Sequence, residues 1–105
     1  MLRQYYLRPS PAAVATLLRE FEAGMPVRRA ADPAGTLVFM GTSLFSDPAT
    51  RVIEWWRYPS AAAAHEGERA AAAAPGWAAR HMAAMSVVEK ASASLLHACK
   101  FSPWQ

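Results

Sequence analysis

The sequence predicts an α+β fold with the element order β-α-β-β-α-β. In this split, ferredoxin-like arrangement, a four-stranded antiparallel sheet carries both helices on one face. Three observations lead to the prediction. Segments with the composition of strands alternate with segments of helical character, and the two middle strands are close enough to form a hairpin. A length of 105 residues suits a single domain over residues 1–105.

The first part of the chain is typical of a strand followed by an amphipathic helix. Residues 2–8 are rich in aromatic and apolar side chains and are followed by a proline. Ser10 and Pro11 predict a helix start, because a hydroxyl can cap the first turn and proline there gives up no hydrogen bond. Gly24 and Pro26 predict the end of the helix. Between these limits, the apolar stripe at helical spacing consists of Val14, Leu17, Leu18, Phe21 and Met25.

The middle of the chain predicts a hairpin. Residues 27–36 are expected to form a loop, and residues 36–45 and 51–58 to form two strands. Residues 46–49 carry the Asp-Pro signal of the turn between them. The two strands should therefore be neighbours in the sheet.

The last part of the chain predicts an interrupted helix and a final strand. Ser60 is expected to cap a helix over residues 61–74, which Pro75 interrupts before the helix resumes over residues 77–85. Residues 86–101 are rich in Val, Ser and Leu and are expected to be extended, as the fourth strand.

The two middle strands are apolar on both faces. Residues 38–40 and 53–56 do not alternate between apolar and polar side chains, as they should if one face of the sheet met water. Because the helices cover one face only, we expect a second copy of the sheet to cover the other face, in a homodimer with two-fold symmetry. The alternative is an exposed aromatic platform that binds a ligand.

Charge and composition exclude several classes of partner. The net charge is +3 and the isoelectric point about 9.5, but the basic residues are scattered rather than gathered in a patch, so we expect no nucleic acid. No apolar run is long enough to span a bilayer and no signal core precedes the domain, so we expect no membrane partner and a cytoplasmic location. Cys99 is the single cysteine and cannot form an internal disulfide. No phosphate-binding glycine loop or dinucleotide fingerprint is present, and we expect no cofactor.

Four short segments, in order along nearly the whole chain, resemble the NIPSNAP family. Residues 2–9 (LRQYYLRP) are similar to the opening of NIPSNAP-like domains, and residues 53–60 (IEWWRYPS) to a family strand that ends in WRY-x-S. Residues 75–77 (PGW) are similar to the family's break in the second helix, and residues 101–103 (FSP) to its close. The resemblance implies a dimeric α/β barrel, in which two sheets pack face to face. It supplies no catalytic residues, and the chain has Glu54 where the family often has histidine.

Glu54 is the first candidate for acid–base chemistry. It lies in a predicted strand, and alternation places it on the same face as Val52, Trp56 and Tyr58. A carboxylate desolvated among aromatic rings is suited to general acid or base catalysis. The alternative is a structural ion pair with an arginine.

The histidines are the other candidates. His65 lies early in the second helix, within the segment His65-Glu66-Gly67-Glu68-Arg69 (HEGER), which lacks the second histidine of the HExxH zinc motif. With too few ligands for a metal site, we expect none. A solvated helix face is the alternative for His65. His81 and His97 can each be a packing or surface residue, or a base that titrates near neutrality.

These residues predict a small cofactor-free enzyme. Its substrate is expected to be an apolar or aromatic, polyketide-like metabolite, and its reaction a cyclisation, an isomerisation or a related proton transfer. Glu54 or His65 would carry the proton, while the substrate would contact Tyr5, Trp56, Tyr58 and His81. The alternative is a non-catalytic module of the same fold that binds a small molecule or assembles with a partner, with the aromatic residues forming core and dimer contacts.

Overall fold

The computed structural model describes residues 1–43 and 50–96. Its elements, in chain order, are β1 (Leu2–Leu7), α1 (Pro11–Ala31), β2 (Thr36–Thr42), β3 (Arg51–Arg57), α2 (Ala61–Ala73), α3 (Pro75–Met85) and β4 (Val88–Ser94). This is the predicted order, with the second helix divided at Pro75 as expected. The predicted turn at 46–49, the end of the second predicted strand at 44–45, His97, Cys99 and the closing segment 101–103 lie outside the described residues.

The four strands form one antiparallel sheet in the order β2-β3-β1-β4. β1 is central, and its Leu2 pairs with Trp55 of β3 on one side and Ser94 of β4 on the other. β2 and β3 form the predicted hairpin, with Phe39 opposite Trp55 after a register shift near Val38. The predicted α+β class and four-stranded antiparallel sheet are confirmed.

The core lies between one face of the sheet and the helices. On β3, Val52, Glu54 and Trp56 are fully buried while their neighbours in the strand are more exposed, which is the period of two expected for one covered face. The helices close this face, with α1 packed mainly against α3. The largest side chains in the core cluster are Tyr5, Leu7, Leu17, Phe21 and Trp77.

Helix α1 is longer than its sequence signals predict. It continues through Gly24 and Pro26 to Ala31, so the predicted end at these two residues is wrong. Gly24 instead lets α1 approach α3 closely, since a Cβ there would lie 2.9 Å from the ring of Trp77. Packing along this face keeps the last two turns helical, although proline removes one backbone hydrogen bond.

The ends of two other elements also differ from the prediction. Ser10 begins α1 without a side-chain capping bond, whereas the Oγ of Ser60 caps α2 by accepting from the N–H of Ala63 at 3.1 Å. β4 starts later than the strand predicted at 86–101 and ends before residue 95, and the part of that prediction at 97–101 lies outside the described residues. Ser86 still belongs to the end of α3, where its N–H bonds to Ala83, and the strand ends at Ser94 because β1 offers it no partner beyond Leu2.

The face of the sheet away from the helices carries large apolar side chains. Tyr6, Phe39 and Trp55 are 36%, 50% and 37% exposed there. Phe39 lies over Gly41, where an added Cβ would meet its ring at 2.5 Å. We call this the outer face. In the described part of the chain, no helix is long and apolar enough to cross a membrane.

Candidate active site

A cleft opens between β1 and the helices α2 and α3. Its volume is about 460 Å³, within the range of small-molecule sites. The cleft exists because α2 and the start of α3 present alanines, Ala71, Ala72 and Ala78, where larger side chains would fill the space. Its other apolar walls are Trp77, Met82 and Met85, and its polar lining residues are Arg3, Tyr5, Arg28, Glu68 and His81.

Tyr5 joins the cleft to the buried carboxylate of Glu54. Tyr5 stands opposite Val52 in the sheet, so its hydroxyl reaches diagonally along β3 and donates to Oε1 of Glu54 at 3.0 Å. Burial, and then the charge of Glu54, raise the pKa of Tyr5 far above its ordinary value, so the phenol stays protonated. Glu54 is fully buried and does not line the cleft. It is connected to the cleft by its hydrogen bond with the hydroxyl of Tyr5.

His81 projects from α3 into the cleft. Its ring stacks on Phe21, with 5.9 Å between centroids and 10° between planes, and lies 5.8 Å from the ring of Trp77. Burial lowers the pKa of His81, and the charges of Arg3 and Arg28 lower it further, against an opposing effect of Glu54. The imidazole is therefore neutral near pH 7 and has a nitrogen free to accept a proton.

Arg28 is a buried cation at the polar end of the cleft. It continues the buried stripe of α1 in the last turn, where the helix dipole favours a positive charge. Its guanidinium carbon lies 4.6 Å from the ring centroid of Trp56 and 5.4 Å from that of Trp77. Its Nη2 donates to Oε1 of Glu68 at 3.0 Å and to the hydroxyl of Tyr58 at 3.3 Å.

Asp32 closes this cluster behind Arg28. Its carboxylate lies 3.6 Å from Arg28 Nη2 and accepts a hydrogen bond from the hydroxyl of Tyr58. Burial and that hydrogen bond raise the pKa of Tyr58. The carboxylate packs against α2 at Gly67, where the absence of a Cβ makes room for it. Arg28 is thus held between a carboxylate, a phenol and two indole rings.

The structure brings most of the predicted site residues together, in two groups. Tyr5 and His81 line the cleft, and Glu54 lies directly behind Tyr5. Trp56 and Tyr58 contact Arg28 rather than the cleft. His65 is exposed and does not line the cleft, contrary to the expectation that α2 would carry it there, because the buried side of α2 is Ala64, Gly67 and Ala71.

Four charged residues of the site were not predicted from the sequence: Arg3, Arg28, Asp32 and Glu68. A signal existed for two of them. Arg28 and Asp32 follow Phe21 and Met25 at intervals that continue the apolar stripe, and the early predicted end of α1 concealed it. Among residues 1–43 and 50–96, no three histidine, cysteine, aspartate or glutamate side chains are grouped so that they could hold a metal ion.

The sequence profile of the NIPSNAP family matches residues 1–103, almost the whole chain. The chain belongs to the NIPSNAP family. Solved NIPSNAP structures share its fold. One from Agrobacterium tumefaciens has a TM-score of 0.82 and 22% identity, over 99% of this chain and 95% of that chain. An uncharacterised NIPSNAP domain protein from Burkholderia xenovorans has a TM-score of 0.76 and 23% identity, over 97% of this chain and 95% of that chain.

A further NIPSNAP protein from A. tumefaciens, described as of unknown function, has a TM-score of 0.79 and 23% identity, over 99% of this chain and 90% of that chain. Among curated proteins, none is significantly similar to this chain. The family profile establishes the family and these solved structures the fold, and the predicted resemblance is confirmed.

Proposed function

We propose that this NIPSNAP protein is a small cofactor-free enzyme that moves a proton on an apolar or aromatic, polyketide-like metabolite. The observation that carries the proposal is a half-buried histidine with a lowered pKa in a cleft that has apolar walls and a charged end. Histidine is the commonest general acid or base in enzymes, and a neutral imidazole can accept a proton. The reaction class is an isomerisation, a cyclisation or a related step begun by removal of a proton next to a carbonyl.

Each residue has a distinct role in this proposal. A ring nitrogen of His81 takes the proton from carbon and returns it to another atom of the product, so that an isomerisation leaves the enzyme unchanged. The positive charges of Arg3 and Arg28 at the polar end of the cleft favour the negative charge that develops on the carbonyl oxygen. Glu54 is a positioning residue, because its hydrogen bond fixes the hydroxyl and ring of Tyr5 in the cleft wall.

Deuterium exchange tests the proposal without knowledge of the natural product. The protein is incubated in D₂O with 2-tetralone or benzoylacetone, two aromatic ketones with acidic C–H groups, and proton NMR follows the loss of those signals. The wild-type protein should accelerate exchange, and His81→Gln should lower that rate by about a hundredfold or more. His65→Gln is the control: if His65 were the base, this variant would lose exchange rate as His81→Gln does, but the position of His65 outside the cleft predicts no loss. Equal rates for wild-type and His81→Gln protein would refute the proposal.

We also propose that a second copy of the chain covers the outer face. Support comes from the exposed aromatic side chains Tyr6, Phe39 and Trp55, which lie on the same face of the sheet, with Phe39 directly opposite Trp55. Trp55→Glu should give a folded monomer by sedimentation, since it places a charge in that interface. Trp56 faces the core, and Trp56→Glu should prevent folding. A wild-type mass equal to one chain would refute the dimer.

A further inference from the structure

Two arginines converge on one carboxylate at the polar end of the cleft. Glu68 of α2 accepts from Arg28 Nη2 at 3.0 Å through Oε1, and its Oε2 pairs with Nη2 of Arg3. Arg3 comes from β1 and Arg28 from α1, so one side chain joins three elements across the cleft. A carboxylate between two guanidinium groups is a strong, directional arrangement.

Arg28 is fixed independently of Glu68. Its side chain is 3% exposed and is held by Asp32, the hydroxyl of Tyr58 and the ring of Trp56. Its Nε is also buried without a hydrogen-bond partner in the described structure, as is Nε of Arg3. The two guanidinium groups form a cationic end of the cleft.

Glu68 is the more exposed of the two carboxylates in this group. Its side chain is 21% exposed, and α2 presents only small side chains toward the cleft beside it, at Ala71 and Ala72. A glutamate that rotates outward from this position regains hydration for its charge, which a fully buried carboxylate such as Asp32 could not do. Of the two carboxylates, Glu68 is therefore the one that can be displaced with less loss of hydration energy.

We propose that the ligand of the cleft is an aromatic or apolar monocarboxylate, and that its carboxylate takes the place of Glu68 on Arg3 and Arg28. The inference rests on the proposed function in that it names the substrate class of the same cleft. Arg3 and Arg28 carry two positive charges, and Asp32 and Glu68 two negative ones. Beside the buried Glu54, the cross-strand neighbour of Arg3, replacement of Glu68 by one ligand carboxylate leaves the net charge at this end of the cleft unchanged, whereas a dianion would add an uncompensated negative charge.

Binding of 2-naphthoate, compared with its neutral isostere 2-naphthamide, tests this exchange by calorimetry. Glu68→Gln removes the internal competitor and should tighten 2-naphthoate binding by about tenfold or more, while 2-naphthamide changes by less than about twofold. The matched control is Glu66→Gln, which removes the same charge from the same helix at an exposed pair with Arg69, and should change neither affinity by more than about twofold. Arg3→Gln should weaken 2-naphthoate binding by about tenfold or more.

Two further arms keep the test decisive. Glu68→Asp retains the charge but is too short to bridge both arginines, so it should also tighten 2-naphthoate binding if Glu68→Gln folds poorly. The dianion 1-naphthyl phosphate should bind the wild-type protein more weakly than 2-naphthoate does. Tighter binding of that phosphate, or Glu68 variants that bind 2-naphthoate no better than Glu66→Gln does, would overturn the inference.

The outcome is separable from that of the exchange assay because binding requires no turnover. If 2-naphthoate binds as expected and His81→Gln exchanges deuterium as fast as the wild type, the carboxylate site is supported and the proposed enzymatic function is refuted. If deuterium exchange depends on His81 and 2-naphthoate does not bind, the proposed enzymatic function is supported and the carboxylate site is refuted.

Discussion

Gly67 offers a sharp test of the buried charge cluster, because its substitution should reverse the usual sign of a glycine-to-alanine change. Gly67 lies within α2, where alanine would ordinarily stabilise the helix by about 1 kcal/mol. A Cβ at Gly67, however, would approach Cγ of Asp32 to 2.5 Å and Oδ2 to 2.6 Å, far inside ordinary contact. On its other side, Oδ2 of Asp32 accepts a hydrogen bond from the hydroxyl of Tyr58, which a shift of the carboxylate would disturb.

The expected cost exceeds the gain in helix propensity. Overpacking of a filled site costs about 1–3 kcal/mol. If the methyl group displaces Asp32 from Arg28, the loss of a buried ion-pair partner costs about 3–5 kcal/mol. After the gain of about 1 kcal/mol from alanine, Gly67→Ala should lower the free energy of unfolding by up to about 2 kcal/mol if Asp32 keeps its place, and by about 2–4 kcal/mol if Asp32 is displaced from Arg28.

Urea denaturation at fixed protein concentration measures this change. The matched control is Gly76→Ala in α3, where the nearest atom to a new Cβ is Cγ2 of the exposed Val27 at 3.2 Å, so the variant should be neutral or slightly more stable. In an Asp32→Ala background the clash is absent, and Gly67→Ala should then stabilise by up to about 1 kcal/mol. A stabilising effect of Gly67→Ala in the wild-type background would refute the packing of Asp32 against α2.

Three further predictions concern stability. Because burial lowers the pKa of His81 below its ordinary value of 6.5, the unfolded chain takes up the proton first as pH falls, so the free energy of unfolding should decrease below about pH 6.5. His81→Gln should reduce that dependence in urea titrations at several pH values, and an unchanged dependence would contradict the prediction. Tyr5→Phe removes the donor to Glu54 and should cost about 1–3 kcal/mol by the same measurement, and an unchanged midpoint would show that the hydrogen bond is absent. Pro26→Ala, at an exposed position inside α1, should raise the urea midpoint. Alanine favours the helix, while the loss of proline makes the unfolded chain more flexible, and together these should raise the free energy of unfolding by about 1–2 kcal/mol.

The sequence predicted the sheet better than it predicted the length of α1. Period-two alternation placed Glu54 and Trp56 correctly on one face of β3, since the pleat admits no other assignment. The predicted end of α1 was wrong because it relied on Gly24 and Pro26 as local signals. The contact of Gly24 with α3 is a tertiary interaction, which local sequence rules do not take into account. The same error hid Arg28, which enters the site from the turn beyond them.

Only the residues of the candidate site that lie on strands could be predicted from the sequence. The Tyr5–Glu54 hydrogen bond follows from antiparallel neighbours on one face, a relation that strand order and alternation can suggest. The position of His65 was not predictable, because an alanine-rich helix has no apolar stripe to show which side is buried. The partnership of Arg3 with Glu68 depends on that same rotation of α2 and was likewise inaccessible.

Stability alone does not explain why Arg28 and Asp32 are buried at the end of the cleft. Replacement of a buried ion pair by apolar side chains of similar volume is often neutral or stabilising. This cluster also leaves Nε of Arg28 and Oδ1 of Asp32 without hydrogen-bond partners in the described structure, which adds a desolvation cost. An apolar pair would fill the same space, but it could not hold a permanent positive charge against the cleft. Positioning of that charge is therefore the property that distinguishes the cluster from an ordinary core, and it is the property that recognition of a carboxylate requires.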